Sequence, residues 1–183
     1  MTMQPKEPVE LLYESDVSNL KIFHEEQYRL LYSTGDVSNE KFKGIFNAIL
    51  HSMDEYAYKK LLINIGDMKS TTLISRVWLL TQFLPKFYSK YEGSYWVTIV
   101  NTKNLLEGIT IKLLAKAAMA LGFSIVVSFH ETVEEALEVL VQQRVALDPC
   151  GEVLELVGSG QLAVDQQVAD LDERRLLGEL LDG

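Results

Sequence analysis

LLINIGDMKSTTLISRVWLLTQFLPKF, residues 61–87, is the stretch whose reading decides the fold. Leu61 to Ile65 form a short, nearly unbroken apolar run, which fits a strand covered on both faces. A polar turn follows, holding Asp67, Lys69, Ser70, Thr71 and Thr72. Leu73, Ile74, Val77, Trp78, Leu80, Leu84 and Phe87 then recur at helical spacing. Pro85 lacks the amide that would bond to the Thr81 carbonyl, so a kink or break is expected there. Strand, turn and helix in this order put the turn at the carboxyl end of a strand, where open α/β sheets meet ligands and partners.

Working outward, Leu20–His24 and Tyr28–Thr34 read as a hairpin around Glu25-Glu26-Gln27. Ser38 or Asn39 caps a helix whose stripe is Phe42, Ile45, Phe46, Ile49, Leu50, Met53 and Ala57. Tyr95–Val100 is a further strand, followed by a helix running to about Leu121, with Gly122 as its C-terminal cap. Ser124–Phe129 is the last strand. Thr132 and Glu135 then form a capping box for a helix with Val133, Ala136, Leu137, Leu140 and Val141 on one face. Strands separated by helices imply parallel crossovers, and the opening hairpin adds an antiparallel portion. The fold class is α/β: a single mixed sheet covered by helices.

Three segments follow from the composition. Residues 1–19, polar and carrying Pro5 and Pro8, read as a loose lead-in; residues 20–144 form the α/β domain; residues 145–183 are an acidic appendage. All twelve lysines lie at or before Lys116. Residues 1–144 carry 15 basic and 17 acidic groups (net −2), and residues 145–183 carry 2 and 9 (net −7). Within the appendage, residues 161–181 read as a helix with a ragged stripe. No basic face is available to neutralise phosphates, which argues against nucleic-acid binding. No run approaches the length of a membrane span, and the N-terminus lacks a signal-peptide pattern. With Cys150 alone no internal disulfide forms, so a soluble cytoplasmic protein is expected.

The segments NLKIFHEEQYRLLYSTGDVSNEKF, KKLLINIGDMKS, SYWVTIVN and GFSIVVSFHETVEEALEVL together resemble the STAS-like superfamily. They look closest to the divergent STAS/SEC14, SpoIIAA-like branch, and they cover about two-thirds of the chain. The resemblance implies a non-enzymatic regulatory or protein-interaction module, without cofactor. In the anti-sigma-factor antagonists of that superfamily, a D-S-S-G-type turn presents a serine to a partner kinase. Here the turn reads D-M-K-S-T-T-L-I-S, so hydroxyls stand at Ser70, Thr71, Thr72 and Ser75 without that order.

The candidate docking or phospho-switch residues are therefore Asp67, Lys69, Ser70, Thr71, Thr72 and Ser75. A phosphate there would meet free helix amides, whereas Ser70 as a plain helix cap is the other reading. A phosphate-binding loop is excluded, because Met68 and Leu62 occupy the positions its glycines need. A second functional reading is a binding protein for a small apolar or lipid-like ligand. It would lie under a lid of Leu105, Leu106, Ile109 and Ile111 against Trp78, unless the helix simply begins near Ile109 with its apolar side buried. A third is an enzyme using an Asp67–His130 acid–base pair at the strand ends. His24 and His51 share neither spacing nor element with His130, so no metal site is expected. A protein partner, a homodimer among the options, completes the expectations.

Overall fold

The computed structural model describes residues 8–142, in which six strands form one sheet in the order β1-β2-β3-β4-β5-β6. β1 (Val9–Glu14), β2 (Ser18–Phe23) and β3 (Tyr28–Val37) pair antiparallel. β4 (Lys60–Thr71), β5 (Tyr95–Val100) and β6 (Ile125–His130) continue parallel to β3. Helices α1 (Asn39–Glu55), α2 (Leu73–Trp78), α3 (Leu84–Lys90), α4 (Leu105–Ala120) and α5 (Val133–Gln142) complete it, a π-helical turn at Leu79–Phe83 joining α2 to α3. The single mixed sheet covered by helices that the sequence predicts is the architecture observed.

Each parallel strand is laid beside the previous one in the same direction, so crossovers of one hand put the connecting helices on one face. The packing agrees: Ile45 and Ile49 of α1, Phe83 and Phe87, and Ala118 of α4 share a core with Leu31, Ile65, Val97 and Ile99. The opposite face belongs to α5, whose Ala136 and Leu140 pack with Tyr28, Leu62 and Val100. Leu62 points to α5 while Ile63 and Ile65 point to the helical layer, which is why the run at 61–65 is apolar but for Asn64.

Three expectations need correction, and the alternatives at Pro85 are narrowed. Residues 1–19 are not all a loose lead-in, since Val9–Glu14 forms edge strand β1. Its outer face leaves Val9 and Leu11 exposed, so little apolar patterning marks it. Tyr13 nonetheless packs on α1 at Gly44, where a Cβ would come within 3.0 Å of the Tyr13 hydroxyl. The polar stretch after Ile65 is not a turn: β4 runs on to Thr71, pairing Asp67 with Thr34, Met68 with Gly35 and Thr71 with Val37 through two register shifts. Buried Met68 between exposed Asp67 and Lys69 gives it strand alternation. Pro85 does not break the helix. The preceding turn widens so that the Leu84 amide bonds to the Leu79 carbonyl, five residues back, and the ring is absorbed in the π turn. Finally, α4 begins at Leu105 rather than near Ile109, because the Asn104 side chain caps it by accepting from the Glu107 amide. The acidic appendage, residues 145–183, lies outside the described residues.

Candidate functional site

Two places stand out on the helical side of the sheet. The first is at the carboxyl end of β4, where Glu107 of α4 is 5% exposed. Its Oε1 accepts the Thr71 amide at 3.1 Å and the Thr71 hydroxyl at 2.6 Å, and its Oε2 accepts Arg76 Nη2 at 2.5 Å. Arg76 also donates to the Thr71 hydroxyl and carbonyl. Alongside, Thr102 donates to the Met68 carbonyl and Asn104 to the Lys69 carbonyl. The end of β4, the start of α2 and the start of α4 are thus tied by one carboxylate whose charge is met by a guanidinium and two further donors.

Glu107 also sets which way α4 faces. Ile111, Leu114 and Ala118 follow it at helical spacing and turn inward with it. Leu105, Leu106, Ile109 and Leu113 are thereby turned outward, and are 82%, 77%, 57% and 60% exposed. On α2, Leu73, Ile74 and Val77 are exposed as well. Linked by Arg76 and Glu107, α2 and the part of α4 up to Leu113 therefore carry seven exposed large apolar side chains.

The predicted site residues divide. Ser70 is not the helix cap; its hydroxyl donates to Asp36 Oδ1 at 2.6 Å, and the cap is Thr72, which accepts the Ser75 amide at 3.1 Å. Ser75 is fully buried, bonded to Thr72 and Asn39, so it offers a kinase no surface. A phosphate on Ser70 would meet the Asp36 carboxylate, a like-charge encounter, and one on Thr71 would stand between the Glu107 carboxylate and the Arg76 guanidinium. Asp67, Lys69 and Thr72 remain exposed. Lys103 beside Asp67, with a bond from Tyr32, holds that carboxyl below its usual range. Those partners replace the acid–base pair: Asp67 is bonded to Lys103 and Tyr32, and His130 Nε2 is buried without a hydrogen-bond partner among the described residues.

The second place is a partly enclosed cavity of about 190 Å³ between the sheet and α1, the π turn, α3 and α4. Of the predicted ligand residues only Ile111 lines it. Trp78 instead packs against Phe42 and Phe83, with Lys43 over its ring, and Leu105, Leu106 and Ile109 are turned out by Glu107. The lid reading is corrected accordingly. Protein interiors hold few voids larger than a water, and at ~24 cal/mol per Å³ one of this size, left empty, forgoes about 4–5 kcal/mol of packing.

One end of the cavity is polar. Arg29 is 2% exposed, and its guanidinium donates to the Ser52 hydroxyl at 2.7 Å, the Tyr58 carbonyl at 2.7 Å and the Tyr56 carbonyl at 2.6 Å. All three acceptors are neutral and lie near the C-terminus of α1, where a cation also meets the helix dipole. Burial pulls its pKa down to about 10. Tyr58, Lys59 and Lys60 line the cavity beside it. The Tyr58 hydroxyl is within 3.3 Å of His24 Nδ1, and His24 Nε2 is 3.3 Å from Glu10.

Glu107, Arg76, Arg29 and Asn104 escaped the sequence reading. The available signal was a single charge inside each of two apolar stretches, LISRVW and LLEGITI.

No family model matches the chain, and no curated protein is similar to it. Two solved structures are similar in fold. One is an uncharacterised protein with a SpoIIAA-like fold from Shewanella loihica, at 14% identity and TM-score 0.42, spanning 76% of this chain and 99% of that one. The other is a candidate anti-sigma factor antagonist from Thermotoga maritima, at 15% identity and TM-score 0.44, spanning 66% and 92%. No helix among the described residues is long and apolar enough to cross a membrane.

Proposed function

We propose that this chain is a non-enzymatic regulatory module that docks a protein partner through the outer faces of α2 and the first half of α4. The observation that carries the reading is the set of seven exposed apolar side chains on these two helices, held outward by buried Glu107. Exposed apolar surface of this kind marks interaction sites on soluble domains. Asp67, Lys69 and Thr72 supply a polar rim, the usual surround of an apolar interface centre. A second copy of the chain is one partner of the right chemistry, and the setting is the cytoplasm.

The test is affinity capture from cells of the source organism, comparing wild type with Leu106→Asp/Ile109→Asp, together with the oligomeric state of each in solution. Both substitutions are on exposed positions, so the fold, checked by circular dichroism, is retained. A partner, or a dimer, lost from the double variant supports the reading. An identical set of partners and an identical oligomeric state refute it.

The cavity favours a second reading, in which the same domain holds a small apolar ligand in its interior. An engineered apolar cavity of ~150 Å³ stays dry and takes benzene. This one is larger.

A further inference from the structure

Resting on the second reading, we propose that the cavity takes an anionic single-chain amphiphile. Its head group is held by Arg29 and Lys59, and its tail lies between the sheet and α4. The first observation is charge. The cavity is lined by Arg29, Lys59, Lys60 and Arg76 and by no carboxylate, in a chain whose net charge is −9. Arg76 is answered by Glu107. Arg29 and Lys59 form no ion pair among the described residues, and Lys60, two residues before Leu62, turns its side chain to the α5 face.

The second observation is placement. Arg29 lies at the start of β3 and Lys59 just before β4, so the two cations gather at the amino end of the parallel strands. Lys59 is half-buried and Arg29 is buried, which grades the site from solvent to interior. A guanidinium has five donors, and the bonds to Ser52, Tyr58 and Tyr56 use three of them. Buried cations facing neutral groups only are stabilised by an arriving anion, and the planar guanidinium favours an oxyacid such as a carboxylate.

The third observation is size and lining. Beyond the cations the walls are apolar, with Ile49, Ile63, Leu114 and Ala115 among them. Since ~150 Å³ accommodates six ring carbons, the present volume accommodates a chain of about six to eight. An anionic head at a cationic mouth and an aliphatic tail within describe a medium-chain carboxylate.

The experiment is calorimetric titration of the protein with octanoate and, separately, with 1-octanol, which keeps the tail and removes the charge. Octanoate is expected to bind about tenfold more tightly than octanol, the scale of one charge-assisted hydrogen bond. Lys59→Gln, on a half-exposed position, should lose most of that preference while octanol binding is unchanged. Ala115→Phe, which puts a ring into the cavity, should weaken both ligands alike. Equal affinities in the wild type overturn the head-group assignment and leave the apolar-ligand reading standing. Binding of neither ligand to the folded wild type overturns both. A preference that survives Lys59→Gln intact overturns the placement of the head.

Discussion

Replacing Glu107 by alanine is the perturbation that reaches furthest into this structure. The carboxylate accepts three hydrogen bonds, two from Thr71 and one from Arg76, and is 5% exposed. Removing one member of a buried ion pair costs ~3–5 kcal/mol. The Arg76 side chain retains 18% exposure, so water partly recovers its charge and the lower end applies. The Thr71 amide, left without an acceptor, adds about 1 kcal/mol. The expected loss is therefore about 3–4 kcal/mol. Glu107→Gln keeps an acceptor for Thr71 and loses only the charge, for about 2 kcal/mol. Urea denaturation followed by Trp78 and Trp96 fluorescence measures both. With a slope of about 2 kcal/mol per molar, Glu107→Ala moves the midpoint down by roughly 1.5–2 M. Combined with Arg76→Met, the double-mutant cycle should show coupling of ~1–3 kcal/mol. A loss under about 1 kcal/mol, or strict additivity with Arg76→Met, refutes the view that this carboxylate ties β4, α2 and α4 together.

Three further outcomes are expected. Gln27 closes the β2–β3 hairpin at φ +58°, a left-handed conformation that costs a side chain, so Gln27→Gly should stabilise the fold by about 0.5–1 kcal/mol in the same urea assay. Ala115→Leu adds three carbons to the cavity wall and should raise stability by about 1–2 kcal/mol; a loss of that size would mean the space is absent. Burial raises the phenols of Tyr28 and Tyr95 and pushes Tyr88 up to about 12. The unfolded chain then releases these protons first, so their contribution to stability falls as pH climbs past ~10. Phenolate absorbance should show a group of tyrosines titrating late, and a single sharp step at the ordinary value would contradict it.

The sheet and its order were legible because residues 61–65, 95–100 and 125–129 are apolar on both sides, a pattern that buried parallel strands require. α1 and α5 announced themselves through stripes and caps at Ser38 and Thr132. β1 was not legible, since an edge strand buries only one face and Val9 and Leu11 stay in solvent. The second half of β4 was misread because Asp67, Lys69 and Ser70 are turn formers by composition; what makes them strand is Met68 entering the core and pairing with β3. α4 carries large apolar residues on both its inner and its outer side, so periodicity could not say which side faces in. That choice is made by Glu107, through partners 31 and 36 residues earlier in the chain. Arg29 was hidden for the same reason: its acceptors sit at the far end of α1, and sequence spacing does not reveal them.

Photocrosslinking tests the docking claim most directly. A benzophenone side chain is placed at Leu106 on the exposed face of α4, and at exposed Lys86 on α3 as a control, in cells of the source organism. Irradiation should join the Leu106 position, and not Lys86, to a defined protein partner or to a second copy of this chain. Equal labelling at the two positions, or no adduct at Leu106 while the protein is folded, would contradict the account.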